Sequence, residues 1–115
     1  MTPAHAKAQY HIGHILERKS DYPTAFKAYS EYTTKYPSGT DFDPVIQAQF
    51  DIAKMFLGGK KTKVLGVPVA PAYHRAEEMF ADIVKRAPFH RLAPMAQFNV
   101  GQALEKQAKD RKSVV

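Results

Sequence analysis

Apolar side chains return along this chain at helical spacing, and they do so in five successive stretches. Between Ala6 and Lys19, Ala8, Ile12, Ile15 and Leu16 alternate with His, Lys, Glu and Arg, which makes one apolar helix face. Ser20-Asp21-Tyr22-Pro23 reads as a cap with proline in the first turn of a second helix, where its missing N–H costs little. That helix carries Ala25, Phe26, Tyr29, Tyr32 and Tyr36 and stops at Pro37-Ser38-Gly39. Asp43-Pro44 is the sharpest start signal, an N-cap followed by proline at the first helical position. The third helix runs through Val45, Ala48, Phe50, Ile52, Ala53 and Phe56 to Gly58-Gly59. Pro71 opens a fourth, with Ala76, Met79, Phe80, Ile83 and Val84, ending before Pro88. A fifth starts between Leu92 and Pro94 and continues through Met95, Phe98, Val100, Ala103 and Leu104. From Ala108 onward the polar tail is expected to fray.

The stretch from Gly58 to Ala70 is long for a helical connection. Its second half, Val64 to Val69, is apolar and β-branched and is expected to pack onto the helices; its basic first half is expected to be mobile. Lys60, Lys61 and Thr62 do not complete the glycine-and-lysine pattern of a phosphate loop. The longest apolar run is too short, and too broken by Pro68 and Pro71, to span a bilayer, which takes roughly 20 residues. The opening residues have no signal-peptide pattern. With 115 residues the chain has room for one small domain, and the absence of cysteine removes disulfides, thiolate metal sites and a cysteine nucleophile. A net charge of +6 raises nucleic-acid binding. The basic residues are spread out, however, and not interleaved with stacking aromatics, so a solvated basic face is the expectation.

Internal repetition sets the architecture. Ala25, Tyr29, Tyr32 and Pro37 align with Ala76, Phe80, Ile83 and Pro88 at identical offsets. The preceding helices align as well: Tyr10, Ile12, Gly13 and Leu16 with Phe50, Ile52, Ala53 and Phe56, and again with Phe98, Val100, Gly101 and Leu104. The small residue lets a partner helix approach closely, with the alanine that opens that helix expected against it. This resembles tetratricopeptide (TPR) helix pairs. It implies an all-α fold, a right-handed TPR-like helical-hairpin solenoid of about five helices, or two and a half repeats. Residues 1–110 would form a single domain, with repeat one about 5–37, repeat two about 43–88 carrying the inserted loop 58–70, a half repeat about 92–108, and a frayed tail 109–115. The insertion after Phe56 and the thirteen residues from Pro88 to Gly101 resemble the TPR-like lipoproteins of the bacterial outer-membrane β-barrel assembly machinery (the BamD type) and the related periplasmic TolA-binding coordinator proteins. The similarity covers about residues 6 to 107, although no lipobox cysteine is present and no partner follows the fifth helix. The resemblance implies a protein-binding role in envelope assembly at the periplasmic face of the outer membrane. A free-standing cytoplasmic or periplasmic adaptor is the alternative.

In stacked helix pairs the first helices line a concave surface, which nominates Tyr10, His14, Glu17, Phe50, Lys54, Phe98 and Gln102 as a groove for a protein or peptide. The competing expectation is that the three aromatic rings pack as core. His11, His14 and Glu17 share a helix face, and His74 precedes Glu77 and Glu78, but neither set has the spacing of a known metal site. No Ser-His-Asp or paired-carboxylate arrangement emerges and no cofactor fingerprint is found, so the reading is of a non-catalytic protein without cofactor. The fifth helix, with Met95, Phe98, Val100 and Leu104 and no sixth helix to cover it, is a candidate for self-association.

Overall fold

Five helices account for most of the residues that the computed structural model describes, which are 3–58, 63–64, 67–68 and 73–113. They are α1 (Pro3–Arg18), α2 (Tyr22–Lys35), α3 (Phe42–Leu57), α4 (Tyr73–Arg86) and α5 (Ala93–Ser113). Between α3 and α4 lie two strands of two residues, β1 (Lys63–Val64) and β2 (Val67–Pro68), paired antiparallel with Lys63 opposite Pro68 and Val64 opposite Val67. The expected packing and mobility of the 58–70 loop concern side chains outside the described residues. The fold is all-α, and no helix among the described residues is long and apolar enough to cross a membrane. The chain divides into two compact units, residues 1–52 and 53–115, with the division inside α3.

In the first unit α1 packs along α2. Ser20 has a positive φ of 61°, the left-handed conformation that ends a helix. Its N–H donates to the Glu17 carbonyl at 2.9 Å and the Asp21 N–H donates to the Leu16 carbonyl at 3.0 Å, which closes α1 in a Schellman turn. Ser20 therefore finishes α1 instead of capping α2. Asp21 holds the N-cap position of α2 without a side-chain hydrogen bond, with Pro23 in the first turn. At α3 the first helical bond runs from the Val45 N–H to the Asp41 carbonyl, so the helix starts two residues earlier than Asp43-Pro44 predicts. Pro44 still falls in the first turn, where it forfeits no intrahelical bond. The Asp41 N–H donates to Tyr32 Oη at 3.0 Å, and Lys7 Nζ pairs with Asp41 at 3.0 Å, so this residue ties both earlier helices to the start of α3. Gln49, fully buried on α3, donates its amide to the Phe26 carbonyl and to Ser30 Oγ of α2.

In the second unit α4 packs closely along α5. Leu92, just before α5, is buried, and so are Ala93, Ala96, Asn99 and Ala103 along one face of the helix. Helix α5 continues to Ser113. Its last turns are built from strong helix formers and include an ion pair at 3.1 Å between Glu105 and Lys109, the favourable order for an i,i+4 pair.

The aligned positions of α2 and α4 behave alike. Ala25, Tyr29 and Tyr32, and likewise Ala76, Phe80 and Ile83, are all fully buried.

Candidate functional site

The small residue of the first repeat stands where its spacing predicts, but it meets a different neighbour. A Cβ built on Gly13 would run into the Tyr29 ring, 2.7 Å from its Cζ. Glycine is thus required by a ring one turn further along α2 than Ala25. Tyr29 is buried, and its hydroxyl donates to Glu17 Oε1 at 2.7 Å. Burial, reinforced by that bond to a carboxylate, pushes the Tyr29 phenol far above its ordinary value. Tyr10 lies at the edge of the same cluster, its ring 4.5 Å from His14, 6.5 Å from Tyr29 and 6.4 Å from Tyr32. Burial first, and the nearby Asp41 second, raise the Tyr10 phenol as well.

These contacts sort the predicted groove residues. Tyr10, His14 and Glu17 are brought together, each half-buried, but they hold α1 to α2. Phe50 is 6% exposed and belongs to the core, because the apolar face of α3 on which it lies is buried along its whole length. Lys54, one turn on, is exposed. Phe98 is 67% exposed on α5, with Gln102 half-buried beside it.

Gly101 is the counterpart of Gly13, and its surroundings are the reverse: a Cβ there meets nothing within 4 Å. The face of α5 opposite its buried side carries Pro94, Phe98, Gly101 and Glu105, flanked by half-exposed Met95 and Leu104. Val100 is half-buried. The quartet that is partly covered on α1 and buried on α3 is therefore largely open on α5.

Two further features come into view once the fold is known. A recess of about 420 Å³ is lined by Tyr73 and His74 from α4 and by Gln107, Asp110 and Arg111 from α5. Beside it Gln107 donates to Glu77 at 2.8 Å, and Lys106 sits 5.6 Å above the Tyr73 ring. Residues more than thirty positions apart meet here, so no local pattern announces them. The second feature is charge: residues 53–115 hold twelve Lys and Arg against five Asp and Glu, while residues 1–52 hold five against six. The histidines remain apart, His14 edge-on to the rings of the tyrosine cluster and His11 and His74 exposed. Among the described residues no three metal-ligating side chains converge.

Comparison with family models, curated proteins and solved structures returns no match.

Proposed function

We propose that the protein is a non-catalytic helical-hairpin scaffold that binds a helix of a protein partner through the outer face of α5. The observation that carries this reading is the contrast between the two glycines. Gly13 is closed by the Tyr29 ring, while Gly101, at the aligned position, is open beside the exposed Phe98. A glycine in a helix interior costs stability relative to alanine, about 1 kcal/mol, and close approach of another helix is a reason to keep it. The fitting ligand is an amphipathic helix that seats a large ring on Gly101 as α2 seats Tyr29 on Gly13. The TPR-like spacing, with the insertion between α3 and α4 and the long Pro88–Gly101 segment, supports assigning this scaffold to outer-membrane protein assembly on the periplasmic side.

A labelled synthetic peptide with the sequence of residues 21–37 serves as the test ligand, because it contains the helix that performs this role in the first unit. The expected result is saturable binding that weakens about tenfold in Phe98→Ala, the order of magnitude for one large apolar contact. Gly101→Gln, which fills the approach, is expected to abolish it. Binding unaffected by either substitution would sink the assignment. Light scattering on the same variants decides whether a second copy takes the place of the partner: a dimer that Phe98→Ala dissolves makes the ligand another α5.

A further inference from the structure

From the α4–α5 turn we infer a second contact surface, a wedge that docks on an anionic phospholipid bilayer by inserting Phe89. The turn is fixed on both sides. Ala87 N–H donates to the Ile83 carbonyl at 2.9 Å, His90 N–H to the Ala87 carbonyl at 3.1 Å, and Ala93 N–H to the His90 carbonyl at 3.0 Å. His90 Nδ1 accepts the Leu92 N–H at 3.1 Å. Ala87, Leu92 and Ala93 are buried beneath the turn, yet Phe89 at its apex is 99% exposed. A scattered surface phenylalanine is ordinary, but it is usually partly covered by its neighbours. This one stands outward on a hydrogen-bonded turn.

The sequence on both sides of it is of one sign. No Asp or Glu occurs between Asp82 and Glu105, a stretch that includes Lys85, Arg86 and Arg91, all exposed. Arg86 pairs with Asp82 at 2.8 Å, where that acidic-free stretch begins. The unit that carries the turn also holds all of the chain's excess positive charge. Cations beside an apolar side chain fit a surface that is negatively charged outside and apolar a few ångströms deeper, which is the leaflet of a bilayer with anionic lipids. A protein partner would need a pocket built to receive the protruding ring. A single-stranded nucleic acid binds through successive exposed aromatic platforms, whereas at this turn Phe89 alone is fully exposed and the His90 ring is half-buried and bonded to the backbone. The surface is separate from the Phe98–Gly101 face, and the inference does not rest on the scaffold reading.

The chain has no tryptophan, so Phe89→Trp places a single reporter at the apex. With vesicles of phosphatidylcholine containing about one-third phosphatidylglycerol, its emission is expected to shift to the blue, with no shift on pure phosphatidylcholine and reversal as salt screens the cations. In sedimentation assays with the same vesicles, Phe89→Ala should bind about tenfold more weakly than the unsubstituted protein while keeping its circular dichroism and melting temperature. Lys85→Gln with Arg91→Gln should weaken binding comparably. Indole emission from the Phe89→Trp variant that does not change with anionic vesicles, or Phe89→Ala sedimenting as the parent does, overturns the inference. So does quenching by a single-stranded oligonucleotide without any response to vesicles, which would assign the turn to nucleic acid.

Discussion

Gly13 and Gly101 occupy the same place in the repeat and should respond to the same substitution with opposite signs. At Gly13 an added methyl group meets the Tyr29 ring, and overpacking of this kind costs about 1–3 kcal/mol. At Gly101 the methyl group meets nothing, so Gly101→Ala should stabilise by up to about 1 kcal/mol through helix propensity alone. Urea denaturation of the two variants reads both numbers. Tyr29 supplies a second prediction, in pH. Its phenol is held protonated in the folded state above the value of about 10 at which it ionises when unfolded. Above that pH the unfolded chain binds fewer protons than the native one, so stability is fully present below about pH 10 and falls as the pH rises further. Tyr29→Phe should flatten that alkaline loss, at a cost of about 1 kcal/mol near neutrality for the bond to Glu17. An alkaline titration followed by circular dichroism shows whether the slope changes.

Helix ends are harder to read in the sequence than helix faces. The triplets Ala25, Tyr29, Tyr32 and Ala76, Phe80, Ile83 are periodic, and they are buried because periodicity reports the face that water is excluded from. A polar pair such as Ser20-Asp21 is compatible both with starting one helix and with ending another; the left-handed φ of Ser20 decides for ending. Asp41 and Asp43 lie on either side of Phe42, and the bond to the Tyr32 side chain, nine residues away, favours the earlier start. Among the candidate ligand-binding residues, spacing alone could not separate Phe50 from Phe98, because exposure depends on what the rest of the chain covers. These distinctions have measurable consequences. Ser20→Gly should stabilise α1 by about 1 kcal/mol, since glycine adopts the left-handed conformation without the steric cost of a Cβ. Phe50→Ala should cost about 3–5 kcal/mol, and Phe98→Ala less than about 0.5 kcal/mol, in the same denaturation assay.

The two units differ in their composition as well as in their charge. Five of the six tyrosines, Tyr10, Tyr22, Tyr29, Tyr32 and Tyr36, belong to residues 1–52, and Tyr73 alone belongs to residues 53–115. Tyr10, Tyr29, Tyr32 and Tyr36 are also in ring contact with one another or with His14. With tryptophan and cystine absent, the tyrosine band of the near-ultraviolet spectrum comes chiefly from this cluster, since the seven phenylalanines absorb at shorter wavelength. The far-ultraviolet signal, by contrast, is the sum over all five helices. The molecule thus has a label for its first half already written into it. If the halves melt independently, the two spectral regions will yield different midpoints from a single heated sample, and if they melt together the curves will superimpose.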